Sequence, residues 1–512
     1  MVDNIAQKKK IVKNTFVLYI RMIFLMLINL YTTRVILQAL GVNDYGIYDV
    51  VGGVVALFDF LSKSLATAST RFLNFELGRG NQIKLKKVFS ASISIQVLIA
   101  IIIAVLVELI GVWFLNNKMN ITTGRLMAAN WVLQFSIITF CMNLISVPYN
   151  AAIIAHERMS AFAYISIFEG LAKLAICYAV MVSPYDKLIV YAGFICLIQV
   201  IVRIVYGVYC KRNFTECSFS FVKDKVLFKE LFSFAGWNFI GAAAGVIRTQ
   251  GGNILINLFF GTCVNAAIGI ANQVNRAVGG FASNFMVAVT PQITQSYARG
   301  DIGYVAELIN KSARLSYFLL LFISLPILLN ISSILHIWLG YVPEKTSVFV
   351  ILTITLALLE TISYPLITTQ LATGKVRNYQ LVVGGLMLLN IPVCYLMFVL
   401  GSNAEYYYYV AIMISVITLV ARLFMLRINA KLSISSFLFD VVLKCLLVTI
   451  LTISFPLVIS FLCNDNILGM IIICVCSILW SIFIILFVGC TKPERNYIVV
   501  TIQRICIAKG SM

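Results

Sequence analysis

Arg248 and Arg276 each fall near the middle of a long apolar stretch, one in 233–259 and the other in 264–290. A charge at that depth in a membrane is costly, so it marks a function unless a partner or backbone carbonyls satisfy it. Arg276 is embedded in Ala271-Asn272-Gln273-Val274-Asn275-Arg276-Ala277-Val278-Gly279-Gly280, a run too polar to face lipid and flanked by residues too apolar for a water-exposed loop. Wound at about 100° per residue, Asn265, Asn272, Asn275, Arg276, Gly279, Ser283 and Thr290 share one face and leave the other apolar. Asn238, Gly241, Gly245, Arg248 and Gly252 do the same in the preceding stretch, where Gly241 and Gly245 also form a GxxxG pair suited to close packing. Two readings stand side by side here, a polar cavity and a tight helix contact.

Other charges extend the pattern. Asp49, Gly52, Asp59, Lys63, Thr67 and Thr70 share a face of a third stretch, with Asp59 and Lys63 spaced i,i+4 as for an internal ion pair. Arg21 joins Asn14, Asn29 and Thr32 on a fourth face, whereas Arg34 lies close enough to the end of its stretch to snorkel. Glu169 and Lys173 are again i,i+4, a spacing that favours a structural pair. Glu360, beside Thr361, Ser363, Tyr364 and Pro365, has no cation within a helical turn. An isolated intramembrane carboxylate tends to hold or exchange a proton, so Glu360 is the ion-coupling candidate, with a hydrogen-bonded packing residue as the equal alternative.

Together the polar faces carry Arg21, Lys63, Arg248 and Arg276 against Asp49 and Asp59, with Asn272, Asn275 and Ser283 as neutral lining. A net cationic cavity wants an anion, and a planar guanidinium donates two hydrogen bonds at once to phosphate. Apolar walls around such a cavity favour a phosphate-bearing substrate with a greasy part. No catalytic residue and no metal ligand is assigned. Two histidines and scattered cysteines without a CxxC or Cys/His cluster do not suit zinc or haem.

The elements that must position these residues follow from composition. With 61% hydrophobic and 12% charged residues in 512 and a mean hydropathy of +0.97, the chain is an all-α polytopic membrane protein. Apolar runs of about 20 residues fall at 15–39, 45–70, 88–115, 126–152, 160–182, 188–209, 233–259, 264–290, 315–338, 346–371, 379–400, 406–427, 436–462 and 466–489. That is about fourteen transmembrane helices. Lysine and arginine gather on alternate connections, and the other connections keep only Lys118, Arg125, Lys187 and Lys345. The bias places both termini in the cytoplasm and accounts for the net charge of +19, so no nucleic-acid partner is expected. No cleavable signal peptide is visible, and every outward loop is short. The connection 211–232 mixes phenylalanines with lysines and reads as an amphipathic segment on the cytoplasmic surface. The resulting division is 1–210, the linker 211–232, 233–430, a helix pair at 431–490 and a tail at 491–512.

Laying 14–81 over 234–301 pairs Ile20/Ile240, Gly41/Gly261, Val54/Val274, Ala68/Ala288, Thr70/Thr290, Arg79/Arg299 and Gly80/Gly300 at a constant offset of 220. The same offset superposes the first span on the seventh and the second on the eighth. Six spans separate the copies, an even number, so the repeats should be parallel.

Asn14-Thr15 and the later Gln38-Ala39-Leu40-Gly41-Val42-Asn43-Asp44-Tyr45-Gly46-Ile47-Tyr48 resemble the amino-terminal signature of Wzx-type polysaccharide flippases. These belong to the multidrug/oligosaccharidyl-lipid/polysaccharide (MOP) superfamily, and in them an L-G-x-x-x-Y-G stretch joins spans one and two. The resemblance implies two pseudo-symmetric six-helix lobes in a MATE-like fold, here followed by a C-terminal helix pair. It implies alternating access and transfer of an undecaprenyl-diphosphate-linked oligosaccharide across a bacterial inner membrane, toward O-antigen lipopolysaccharide, capsule or exopolysaccharide. Arg21, Arg248 and Arg276 match by location the cations that hold the diphosphate. The resemblance further implies an H+ or Na+ gradient as the driving force, no organic cofactor, and polymerase or chain-length proteins as partners beside membrane lipids. Many Wzx-type members have twelve spans, whereas lipid II flippases have fourteen and use the extra pair as a lipid groove, which keeps lipid II open as substrate. A MATE-type drug/cation antiporter would favour an anionic cavity. A membrane glycosyltransferase or polymerase would need a larger outward loop, so a transporter is expected rather than an enzyme.

Overall fold

The computed structural model describes residues 2–56, 59–117, 123–339, 342–462 and 466–496, and every long element among them is helical. In chain order these are α1 (Val2–Ala56), α2 (Asp59–Arg79), α3 (Gln82–Leu106), α4 (Leu126–Ala155), α5 (Met159–Met181), α6 (Lys187–Asn213), α7 (Lys225–Val246), α8 (Gly252–Arg299), α9 (Ile302–Leu329), α10 (Thr346–Ala372), α11 (Val376–Val399), α12 (Tyr406–Ala430), α13 (Ile434–Leu462) and α14 (Ile467–Ile484). Helix therefore occupies all fourteen expected positions. Among the described residues, twelve stretches are long and apolar enough to span a membrane. The second arm of α1 with α2, and the long arm of α8, are not among them. These are the positions of the expected second and eighth spans, whose polar faces lower their mean hydropathy.

The repeat is written into the backbone. α1 and α8 each break at a glycine in left-handed geometry, Gly41 and Gly261, both with φ 77°. The next turns also match, with Gly80 at φ 70° and Gly300 at φ 82°. A side chain at such a φ strains the chain, which is why glycine recurs at these positions. The residue after each turn caps the following helix, Asn81 accepting from the Lys84 amide and Asp301 from the Tyr304 amide. Asn81/Asp301 and Lys84/Tyr304 keep the offset of 220 without being identical, so conformation repeats further than residue type does.

The chain divides into two compact units, one of Met1–Ala243 with Val287–Gly300, the other of Ala244–Met286 with Asp301–Met512. The contacts thus draw their boundary inside α7 and return the end of α8 to the first unit, instead of cutting at a linker.

In the first unit α4 packs against α3 and α6, and α1 against α5. Leu18, Met159 and Ala288 form a fully buried cluster. Gln295 donates to the Ala155 carbonyl (2.8 Å) and to Asn74 Oδ1 (3.3 Å), which fastens the end of α8 to α2 and α4. The 211–232 segment is only partly helical. It is no separate amphipathic helix: α6 runs to Asn213, residues 214–224 are irregular, and α7 starts at Lys225. Its apolar residues divide, Phe214 and Leu227 being buried while Phe219, Phe221 and Val226 are exposed.

At the end of this unit opposite the lysine-rich connections, Arg125 joins three segments. It donates to both Asp44 oxygens and, at 2.5 Å, to Asp186 Oδ2. Asp186 in turn caps α6 by accepting from the Leu188 and Ile189 amides. The Asp44 hydrogen bonds hold the Arg125 guanidinium even more firmly protonated than usual, against a smaller desolvation effect. Arg125→Gln should lower stability by about 1–3 kcal/mol, because two carboxylates lose a shared, charge-assisted partner. Thermal unfolding of the purified protein in detergent checks this, and an unchanged midpoint would remove the clamp from the fold's supports.

In the second unit α10 packs against α9 and α12, and α14 against α9 and α13. The C-terminal pair is thus built into the unit. Arg314 reaches Glu494 (2.7 Å) and the Asp440 carbonyl (3.3 Å), and the Tyr317 and Thr449 hydroxyls meet at 2.7 Å. Lys345 and Glu405 pair at 2.8 Å ahead of α10 and α12. Burial pushes the Glu405 carboxyl up, but the Lys345 hydrogen bond and a backbone bond outweigh it and leave the group below the usual glutamate range. A depressed carboxylate contributes stability above its unfolded value and loses it as pH falls through the folded one. The stability gap between wild type and Lys345→Gln should therefore stay open near neutrality and close as the buffer is acidified below the ordinary glutamate range. Unfolding midpoints of both proteins across that pH range measure it.

Candidate functional site

In the second unit the helix carrying Arg248 widens to a π-turn over Ile247–Gly251. Such a bulge leaves backbone groups out of register, and it is frequent at functional sites. Here the Arg248 carbonyl accepts a hydrogen bond from the Tyr407 hydroxyl at 2.8 Å. Glycine makes this approach feasible, because a Cβ on Gly252 would lie 2.4 Å from the Tyr407 ring. Gly252→Ala should cost about 1–3 kcal/mol through this clash, read as a lower unfolding midpoint, and the same change made in a Tyr407→Ala background should cost much less.

The Arg248 side chain meets Glu360 on α10, Nη2 to Oε1 at 2.9 Å, with 14% and 31% of the two side chains exposed. This corrects the expectation of an isolated carboxylate. Glu360 lacks a cation on its own helix, and its partner stands 112 residues earlier in the chain. Of the two readings of Arg248, the structure supplies a partner, since part of its fork serves Glu360. Thr361 is buried and returns its hydroxyl to the Leu358 carbonyl, and Pro365 lies inside the unbroken α10.

Arg276 stands apart. It is exposed in the second arm of α8 and, among the described residues, has no hydrogen-bond or ion-pair partner. Asn272 and Asn275 beside it are half-buried, and Ser283 is exposed with its hydroxyl on the Gly280 carbonyl (3.0 Å). An arginine with its fork open on a helix rich in amides can take a bidentate anion.

In the first unit Arg21 lies over the Phe162 ring, 4.3 Å from its centre, and its Nε is buried without a hydrogen bond. Tyr206 and Glu169 are within electrostatic reach of it. Glu169 accepts from Lys173 at 2.6 Å, the expected i,i+4 pair, and from Gln199 at 2.8 Å. Arg21, Glu169, Lys173 and Gln199 thus form one neighbourhood with a surplus positive charge, which the sequence presents as separate features. Lys63 is exposed. The side chains of Asp49 and Asp59 lie outside the described residues, and with them the expected Asp59–Lys63 pair.

Four of the named cations are therefore distinguishable by what they already touch: Arg248 is paired, Arg21 is stacked, and Lys63 and Arg276 are exposed. Gln199, Phe162 and Tyr407 were missed because helical spacing speaks only of one helix at a time. The Arg248–Glu360 pair had a usable signal, two opposite charges at similar depth, each too costly to leave alone.

Known proteins bear on this arrangement. Residues 11–297 match the family of polysaccharide biosynthesis proteins. The uncharacterized membrane protein EpsK of Bacillus subtilis (strain 168) is 22% identical over 320 residues, which span 61% of this chain and 62% of that protein. A MOP superfamily transporter from Pyrococcus furiosus superposes with a TM-score of 0.70 at 10% identity, over 84% of this chain and 96% of its own. A mutant form of the Vibrio cholerae MATE transporter VcmN does so with a TM-score of 0.69 at 13% identity, over 83% and 98%. At such identities these two likenesses establish the fold, which is the MATE-like fold expected from the amino-terminal signature.

Proposed function

Because the chain belongs to the polysaccharide biosynthesis protein family, we propose that it is a flippase moving an undecaprenyl-diphosphate-linked oligosaccharide from the cytoplasmic to the periplasmic leaflet of a bacterial inner membrane. The observation that carries this reading is Arg276, an exposed arginine on a span-length helix with no partner among the described residues. A fold that keeps an unsatisfied guanidinium there is suited to an anionic group that arrives and leaves. The Pyrococcus furiosus neighbour is described by a reversed polarity of its binding pocket and a different function, which fits a fold whose cargo follows the sign of its cavity.

In this reading Arg276 grips the diphosphate, Arg21 and Lys63 add positive field, and the apolar helix faces accompany the lipid. Both termini lie in the cytoplasm, following the lysine and arginine bias. The cycle is alternating access driven by H+ or Na+, with polymerase and chain-length proteins receiving the product. Lipid II is the second candidate substrate, favoured by the docking of α13 and α14 into the second unit.

The test is reconstitution of the purified protein in proteoliposomes with undecaprenyl-diphosphate-linked oligosaccharide on one leaflet. Accessibility to an added sugar-modifying enzyme reports transfer. Protein-dependent transfer is expected. Transfer of lipid II but not of the oligosaccharide would select the second substrate, and transfer of neither would overturn the flippase reading.

A further inference from the structure

The first unit holds a cavity of about 510 Å³, lined by residues of α1, α3, α5 and α6, by the turn joining α4 to α5 and by residues 214–216. That volume is in the range of small-molecule sites, about 300–1,000 Å³. Its charged groups are Lys10, Lys13, Arg158, Glu157, Glu216 and, when protonated, His156.

The two carboxylates are already served. Glu157 pairs with Lys10 at 3.1 Å, and its carbonyl accepts from the buried Asn14 at 3.2 Å. Glu216 meets His156 Nε2 at 2.5 Å, and the His156 ring stacks on Phe214 with 4.1 Å between centres. Lys13 and Arg158 remain, both exposed and neither with an ion-pair partner among the described residues. Arg158 also stands at the N-terminus of α5, a 23-residue helix that no side chain caps. Met159, Ser160 and Ala161 bring that first turn to the cavity wall. The Ala161 amide already bonds the Arg158 carbonyl at 3.1 Å, which leaves the Met159 and Ser160 amides at the helix start to join an arginine fork and a lysine on one space, and these are donors that hold phosphate oxygens.

The turn is built to keep this arrangement. Glu157 adopts φ 56°, a left-handed position where a helix end favours glycine. The Arg158 amide closes the turn onto the Ile153 carbonyl at 3.0 Å. A glycine would relieve the backbone but would lose the Lys10 contact that pins α1 to the cavity rim.

We propose that this cavity is a binding site for a phosphate-bearing anion, held by Lys13, Arg158 and the first turn of α5, on the side that the charge bias assigns to the cytoplasm. The ligand is a free phosphate compound or the headgroup of an anionic lipid. The site is independent of the transport reading, since none of its residues belongs to the cations assigned to the cargo.

The experiment uses the full-length protein in nanodiscs. One arm adds inorganic pyrophosphate to discs of neutral lipid, and the other compares neutral discs with discs containing phosphatidylglycerol, each read by thermal unfolding. Stabilisation in the first arm names a soluble ligand, and stabilisation in the second alone names a headgroup. In either case Lys13→Gln with Arg158→Gln should weaken the response about tenfold or more. Lys13→Arg with Arg158→Lys, which keeps both charges, should retain most of it, and Arg276→Gln should leave it intact. No stabilisation in either arm, or an equal response from the charge-removed protein, would overturn the proposal. Loss of transport with intact pyrophosphate binding, or the reverse, separates the two readings.

Discussion

Arg276→Gln should reduce translocation by about 10²–10³ while the protein unfolds at the same temperature as wild type, because a bidentate, charge-assisted contact is worth about 3–4 kcal/mol in binding. The second half of that expectation makes the first informative. Arg276 is exposed and has no partner among the described residues, so its removal deletes no contact within the protein, and substitutions of that kind cost within about 0.5 kcal/mol. Arg276→Lys keeps the charge and loses the planar fork, and should fall between the two, about tenfold below wild type. The proteoliposome assay reads the rate, and unfolding in detergent reads the stability. Equal translocation by all three proteins would remove Arg276 from the mechanism. A large loss of stability in Arg276→Gln would show instead that the side chain is a structural element.

Both units separate what a single helix reveals from what only packing reveals. Helix positions were legible because a span needs a long apolar run, and the polar faces of the second and eighth spans were legible because a helix sorts its residues by angle. The repeat was legible at Gly41/Gly261 and Gly80/Gly300, since glycine is the residue that a left-handed φ selects. Asn81 and Asp301 play the same capping role with different side chains, so identity alone understates the repeat. Asp44, read as one position of a family signature, proves to be half of the Arg125 clamp. That partner lies 81 residues away. No spacing rule relates residues on different helices, and for the same reason Arg248 and Glu360 looked like two features instead of one. The repeat itself predicts nothing here, because at the offset of 220 Arg248 aligns with Ile28 and Arg276 with Ala56. Architecture is duplicated and charge is not, so under the proposed function the two copies would not contribute equally to holding an anion.

Arg248→Ala and Glu360→Gln should each be strongly destabilising, by about 3–5 kcal/mol, whereas the pair Arg248→Met with Glu360→Leu should recover most of that loss. The reasoning turns on what each change leaves behind. Without Arg248, a carboxylate that is two-thirds buried in a membrane helix loses the guanidinium 2.9 Å away and must desolvate a charge or take up a proton. Without the Glu360 charge, Arg248 has no comparable escape, because a guanidinium stays protonated, so Glu360→Gln should be the more damaging single change. Replacing both groups by apolar side chains of similar size removes the charges together and leaves neither exposed to the interior. The double-mutant cycle, measured by unfolding in detergent, should therefore show a coupling of about 2 kcal/mol or more. Additive single effects would mean that the pair is solvated and holds nothing. The same cycle run on translocation decides the role of Glu360. If it exchanges protons during transport, the apolar pair will fold and fail to respond to an imposed pH gradient. If the ion pair only seats the π-turn against α10, the apolar pair will transport with the wild-type gradient dependence, and Arg276 will remain as the residue that meets the cargo.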